Sequence, residues 1–487
     1  MRGLIQVKAA APRAAHARSM DILTAPDPSA AWTFDADLLR RYDRPGPRYT
    51  SYPTAPHFQT GFGPAQLFAA VQASDPRRPL SLYVHVPFCR SPCFYCGCHR
   101  VITRDPQRGR AYVQRLLREA AMMAACFDGE REVVQLHLGG GTPNFLAPEL
   151  LGELVQGLRG LFRFSQAPDR EMSIELDPRT VTPQDIATLA ELGFNRASLG
   201  IQDFDPLVQQ AINRRQGVHE TLDILRACRT HGMRSVNVDL IYGLPRQTLA
   251  GFEQTLATVI AARPDRLAVY GYAHMPQLFK AQRRIADADL PDAEQKLALL
   301  GLAVSRLSAA GYQYIGMDHF ALPQEDLARA QRQGSLHRNF MGYTTHADTD
   351  LLGLGVSAIS RIGASYSQNQ RDLPAWEAAV DAGDSPVLRG LQLSTDDALR
   401  AELIQQLMCQ GRVDVAAVAR RHGIDVASYF REELRALAPL CADGLADYRD
   451  GVVEATARGR PLLRLIAMCF DRYLRQPDQP ARYSRAI

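Results

Sequence analysis

The chain predicts an α/β fold: an incomplete (β/α)6 barrel, preceded by an N-terminal arm and followed by a mostly helical domain. Three observations carry this. Six apolar runs of strand length lie at 82–88, 133–138, 172–176, 197–201, 236–241 and 267–272. Helix-period segments alternate with them at 110–126, 148–161, 183–192, 219–231 and 248–262, and such alternation implies a parallel sheet with right-handed crossovers. The residues of most chemical character fall just after the runs, where barrels of parallel strands gather their chemistry.

In chain order, residues 1–31 are low in complexity and are expected to form a disordered tail. Its first part carries Arg2, Lys8, Arg13 and Arg18 without an acid. It lacks the continuous apolar core of a secretory signal, and Met20 is an alternative start. Residues 32–80 form the arm and its helices, with a short helix at 32–42. The stretch DRPGPRYTSYPTAPHF, at 43–58, holds Pro45, Gly46, Pro47, Pro53 and Pro56, which exclude a long helix or a central strand. Arg48, Tyr49 and Tyr52 are costly in a plain linker. The catalytic region is expected at 81–372 and the C-terminal helical domain at 373–487.

Composition sets bounds. Of 487 residues, 46% are hydrophobic and 22% charged, as in a soluble globular protein. The net charge of +4 is too small to argue for nucleic acid. No run of eighteen apolar residues occurs, so no transmembrane helix is expected. Five of nine cysteines, Cys126, Cys228, Cys409, Cys441 and Cys469, are scattered and read as small buried hydrophobes.

The other four form one motif. In SLYVHVPFCRSPCFYCGC, Cys89, Cys93, Cys96 and Cys98 follow a strand with spacing C-x3-C-x2-C-x-C. A chain this long builds a core without disulfide staples. Zinc remains open on spacing alone, although structural zinc usually draws on two separate ligand pairs. The first three cysteines suit a [4Fe–4S] cluster, whose fourth iron stays open for chemistry. Such a cluster needs a reducing compartment, so the cytoplasm is expected.

Further motifs follow the later strands. Gly139 to Pro143 read GGGTP, and glycines admit close backbone approach to a ligand. Glu175 and Asp177 in SIELDP share a strand face. Gln202 and Asp203 lie in GIQDF, and Arg214 in NRRQ. Asp239 sits within the apolar VNVDLIYGLP, where a buried carboxylate needs a partner. Ala273 lies in YGYAHMP. From 279 to 372 the alternation breaks down. Lys280, Arg283, Arg284, His337, Arg338 and Arg361 make this part cationic, with a solvated surface as the default.

The C-terminal region starts with a helix to Cys409 capped by Ser394 or Thr395, with Asp396 and Asp397 in its first turn. Helices at 413–422 and 426–440 precede a hairpin of 445–448 with 452–455 around Arg-Asp-Gly. Three helices and a hairpin are winged-helix-like. DNA binding is the alternative this raises, but Asp425, Glu432, Glu433, Asp443, Asp447 and Asp450 dilute any basic face. Packing against the barrel is the expected job.

C-x3-C-x2-C after a strand resembles the radical S-adenosylmethionine (SAM) family. YVHVPFC…CFYCGC, together with RYTSYPTA, resembles its oxygen-independent coproporphyrinogen III dehydrogenases, and the resemblance runs from about residue 32 to the end. It implies a radical-SAM barrel, with Cys89, Cys93 and Cys96 on the cluster's iron. Cys98 is not expected to be a ligand, and a catalytic part for it stays open, as does the role of His99. Two SAM are implied. Gly140, Glu175 and Ile359 lie beside the first. Tyr95, Gly141, Thr142, Gln202, Arg214, Asp239 and Ala273 face the second, and Tyr83 joins the cofactor-binding set. Tyr95 stands where related sequences can carry phenylalanine. The implied reaction turns two propionates of coproporphyrinogen III into vinyl groups, giving protoporphyrinogen IX, through a 5′-deoxyadenosyl radical, and a substrate with four propionates would want several of the cations of 279–372 near it. It implies a one-electron reductant for the cluster and a final electron acceptor that the sequence does not name. No nucleic acid or membrane partner is expected, and a monomer is. Competing readings are a haem chaperone of the same superfamily, against which Cys98 and RYTSYPTA argue, and an iron–sulfur DNA-binding regulator, which leaves GGGTP and GIQDF unexplained.

Overall fold

The structure is a computed structural model describing residues 34–127, 129–475 and Tyr483. The tail expected at 1–31 lies outside the described residues. All six expected strands form: Leu80–Val86, Glu132–Gly140, Glu171–Leu176, Arg196–Gln202, Ser235–Tyr242 and Arg266–Gly271. They pair in that order, each parallel to the next. Leu80, Leu82, Val84 and Val86 are at most 1% exposed and the strand is buried almost throughout, as expected of a parallel sheet covered on both faces.

The helices between them are cut by readable signals. Asp105 caps Pro106–Ala124, which starts four residues before the expected 110. A Thr182–Asp185 capping box opens Pro183–Glu191, and Thr248 caps Leu249–Ala262. Among the described residues no helix is long and apolar enough to cross a membrane.

The sheet extends further than six units. Asp350–Leu354 adds a parallel strand beside Leu80–Val86, followed by antiparallel Ile359–Ile362, Ser365–Asn369 and Val387–Gln392. At the other edge, His319–Ala321 and Gln313–Gly316 add to Arg266–Gly271 antiparallel. Among the described residues the two ends of this 13-stranded sheet do not pair, so the barrel stays open along one side. Because Val387–Gln392 belongs to the sheet, the large sheet continues to 392, beyond the boundary expected at 373.

The C-terminal region has the expected pattern with one added strand. Ser394 and Asp397 form a capping box for Thr395–Gln410, and Gly411 at φ 71° ends it. Arg412–Asp414 joins the hairpin in a three-stranded sheet. The helix expected at 426–440 is two, Val426–Tyr429 and Arg431–Ala442, separated by the fully buried Phe430. The arm is not a separate layer. Leu38, Leu39, Tyr49 and Tyr52 belong to the hydrophobic core of the C-terminal region, with Leu403, Phe430 and Phe470. Tyr49 donates to Asp471 at 2.9 Å, and Tyr52 accepts from the Arg472 N–H at 3.2 Å.

Candidate active site

The first strand leads into Phe88–Cys89, which pairs with Val101–Ile102 and pins both ends of the cysteine loop. The loop is held from within. Arg100 donates to the carbonyls of Cys96 at 3.0 Å and Cys93 at 3.2 Å. Phe94 N–H donates to Ile212 O at 2.9 Å, and Asn213 donates to Pro92 O at 2.7 Å. All four cysteines line one cavity of about 480 Å³.

The thiols have distinct surroundings. Cys93 Sγ accepts from Arg214 at 3.6 Å and from Arg179 at 3.8 Å. Cys96 Sγ accepts from the Cys98 N–H at 3.4 Å. A hydrogen bond from the Cys98 side chain, aided by Arg100, draws the Cys96 thiol down to about 6, whereas burial pushes Cys89 up to about 11. Cationic neighbours favour the thiolate, the form that binds iron. Among the described residues no three His, Cys, Asp or Glu side chains converge on a single ion position. A [4Fe–4S] cube has a different iron for each thiolate, so it calls for sulfurs spread around a space rather than converging on a point. Three thiols of one loop facing one cavity fit that demand.

The opposite wall is built from strand ends. Gly140 stands at φ +115°, and a Cβ there would lie 2.5 Å from the His85 ring. A Cβ on Gly141 would lie 2.6 Å from the Pro87 backbone. Only glycine lets this backbone pass so close to the first strand. Gly140 N–H donates to Glu175 at 3.0 Å, and His137 lies 3.4 Å from the same carboxylate. Burial opposes the ionisation of Glu175, but these partners outweigh it and hold its carboxyl below the ordinary range.

Asp177 pairs with Arg179 at 2.6 Å and with Arg214 at 3.3 Å, and Arg214 also donates to Gly200 O at 2.7 Å. Arg214 is therefore not a free cation awaiting a carboxylate; it ties Asp177, the fourth strand and Cys93 together. The register shift between Gly200 and Gln202 leaves Gln202 at φ +69° and turns it into the cavity. Asp239 accepts from Asn237 at 2.8 Å and Ser198 at 3.1 Å. Burial, then the nearby Glu175, pushes its carboxyl up to about 6.

The cavity thus brings together Cys89, Cys93, Cys96, Tyr95, Gly140, Gly141, Thr142, Glu175, Gln202, Arg214 and Asp239. Tyr83, Ala273 and Ile359 stand outside its lining. Tyr83 stacks on His137 and bonds His85 at 2.9 Å, one layer behind Glu175. Ala273 offers its carbonyl to Gln282, a buried residue that also donates to Tyr95 O at 2.9 Å. Ile359 opens an antiparallel strand. Sequence reasoning missed Arg179, Arg100, Ser198, Tyr270 and Gln282. Arg179 and Arg100 had one available signal each, a cation two residues from Asp177 or from Cys98.

The sequence model of the Radical SAM superfamily matches residues 83–259, and that of the HemN C-terminal domain matches 393–462. The chain is 49% identical to the oxygen-independent coproporphyrinogen III oxidase of Pseudomonas aeruginosa over 455 residues, covering 93% of this chain and 99% of that protein. It is 47% identical to the Escherichia coli K12 protein of the same name, covering 93% and 98%. The solved structure of coproporphyrinogen III oxidase (HemN) from Escherichia coli, described as a radical SAM enzyme, superposes with a TM-score of 0.87 at 46% identity, covering 91% of this chain and 99% of that one.

Proposed function

The chain belongs to the oxygen-independent coproporphyrinogen III oxidase family of radical SAM enzymes, and from that premise we propose a function for the cavity, residue by residue. The enzyme is an oxidoreductase that uses a [4Fe–4S] cluster and SAM. Its reaction is the oxidative decarboxylation of two propionates of coproporphyrinogen III to vinyl groups, giving protoporphyrinogen IX at the expense of two SAM. The observation that carries this reading is the convergence of three thiols with the Gly140–Glu175 wall on one cavity at the strand ends.

Cys89, Cys93 and Cys96 hold the cluster, and Cys98 serves Cys96 without joining it. When bound, the cluster supplies the electron that splits SAM. The remaining work belongs to the chain. Glu175, ionised and fixed by Gly140 and His137, takes the polar hydroxyls or cationic groups of the first SAM. Gly141, Thr142, Gln202 and Asp239 shape the place of the second. Arg214 positions Asp177 and Cys93 between the two. Behind them Gln282 keeps Tyr95 and the Ala273 carbonyl in fixed relation.

The arm reaches this mouth. Arg48 pairs with Asp318, and its guanidinium lies 5.9 Å from the ring of Tyr270, which lines the cavity. The arm closes over the macrocycle and shields the radical chemistry from water. The test is anaerobic incubation of the reconstituted protein with SAM, a one-electron reductant for the cluster, a one-electron acceptor for the substrate radical and coproporphyrinogen III. Formation of protoporphyrinogen IX with two methionines released supports the reading; SAM cleavage with no change in the tetrapyrrole overturns it.

A further inference from the structure

Among the described residues, most deeply buried arginines are paired with a carboxylate, and Arg338 is not. Arg131, Arg196, Arg214 and Arg400, each 5–7% exposed, are paired with Asp350, Glu171, Asp177 and Glu433 at 2.6, 2.9, 3.3 and 2.8 Å. Arg338 is more buried than any of these, at 4% exposed, and among the described residues it has no carboxylate within ion-pair distance. It donates to the Arg48 carbonyl, lies 5.3 Å from the Tyr343 ring, and its Nε has no partner. A buried charge without a counter-charge is costly. Its neighbours feel it: burial, then repulsion from Arg338 and Arg464, lowers Arg48 to about 10.

Arg338 lines a cavity of about 950 Å³ at the junction of the arm, the barrel and helix Thr395–Gln410. Arg361 lines it too. Among the described residues Arg361 has no carboxylate either, only His337 at 3.4 Å, an imidazole that burial and Arg361 hold neutral at about 4. The acids on the wall are Asp75, Glu402 and Asp348, of which the first two are engaged by Arg77 and Arg421. Tyr49, Phe340 and Tyr366 give the wall aromatic surface. A pocket for one drug-sized ligand spans roughly 300–1,000 Å³. The reaction cavity, at about 480 Å³, is the smaller of the two and holds SAM in the function proposed above. The Tyr343 ring beside Arg338 lines a polar cavity of about 140 Å³ inside the barrel, which shares Glu175, Ser198, Asp239 and Tyr270 with the reaction cavity.

We propose that the junction cavity is a second site, which docks a propionate-bearing tetrapyrrole with its carboxylates on Arg338 and Arg361. The inference rests on the function proposed above, and substrate and product share the chemistry it requires. Guanidinium and carboxylate match through paired hydrogen bonds, and the macrocycle covers the aromatic wall.

The test uses the reconstituted holoenzyme with coproporphyrin III, the oxidised macrocycle with four propionates, and protoporphyrin IX, with two. Fluorescence titration gives affinities, and amide hydrogen exchange locates the ligand. Slowed exchange at 335–340 and 361–366 is expected, with Arg361→Leu weakening coproporphyrin III roughly 10- to 100-fold. Arg361→Lys should retain most of the affinity, and the tetramethyl ester should bind the wild type as weakly as the acid binds Arg361→Leu. Tighter binding of the four-propionate ligand marks a substrate site, and of the two-propionate ligand a product site. Iron content and circular dichroism of each variant establish that it is folded. Protection confined to the reaction cavity, or unchanged affinity in Arg361→Leu, overturns the proposal. Turnover of coproporphyrinogen III by the wild type is scored separately, so failure of the docking site and failure of the proposed function give different results.

Discussion

The barrel mouth and the junction beneath the arm each hold one buried and one half-buried arginine, and they settle the charge differently. At the mouth, Arg214 and Arg179 share Asp177, and both also face Cys93. At the junction, Arg338 and Arg361 have only a carbonyl, a ring face and a neutral imidazole. A paired charge is already satisfied within the chain and serves to hold geometry. An unpaired one has its counter-charge elsewhere. The difference separates residues that position from residues that recruit.

The largest expected effect lies at the mouth. Cys93→Ala should lose the cluster's iron and visible absorbance and abolish turnover, whereas Cys98→Ala should keep most of its iron. Equal iron loss in both would erase the distinction between the three ligands and Cys98. Next is the paired arginine deep in the barrel. Arg131→Met leaves the buried Asp350 with only the more exposed Arg78, at 3.3 Å, and should destabilise by up to about 3–5 kcal/mol in denaturant unfolding. Arg338→Met strands no carboxylate and should cost less than about 1 kcal/mol, or stabilise. Similar losses in the two variants would break the comparison.

Asp239 offers a pH test within the mouth. Its folded pKa, about 6, lies above the ordinary aspartate value, so the folded state binds the proton more tightly than the unfolded chain. Stability therefore falls as pH rises from about 4 to 6, by up to about 3 kcal/mol. Asp239→Asn should flatten that slope in melts across the same range, and an unchanged slope would assign it to other groups. A further effect concerns the arm: Tyr49→Phe removes one buried hydrogen bond and should cost about 1–3 kcal/mol, read as a lower denaturation midpoint.

The sequence made the mouth legible because its signals are local. A cysteine spacing, a glycine run and six apolar strands place it without knowledge of distant pairing. Cys89, Gly140 and Gln202 each sit at a strand end that hydrophobic pattern alone locates. The junction was legible only as a group of cations that a substrate with four propionates would want nearby; its burial and its walls were not. Arg338 lies in His-Arg-Asn-Phe, a polar context that reads as solvated surface, and its burial depends on elements near residues 49, 343 and 404. The strand Asp350–Leu354 escaped because it pairs with a partner 270 positions earlier. Tyr49 and Tyr52 stand among prolines with no period to mark a buried face, yet they enter the C-terminal core. For the same reason Tyr83, Ala273 and Ile359 could not be placed relative to the cavity.

The Tyr49–Asp471 hydrogen bond spans 422 residues, and this orders events on the ribosome. Synthesis runs from the N-terminus, so the barrel strands emerge long before the helices that seat the arm. Tyr49 and Tyr52 stay without their core until the last helices are released. Until then the arm lacks the core that seats its tyrosines, although Asp318, the partner of Arg48, has already emerged. Full seating of the arm is thereby coupled to completion of the chain.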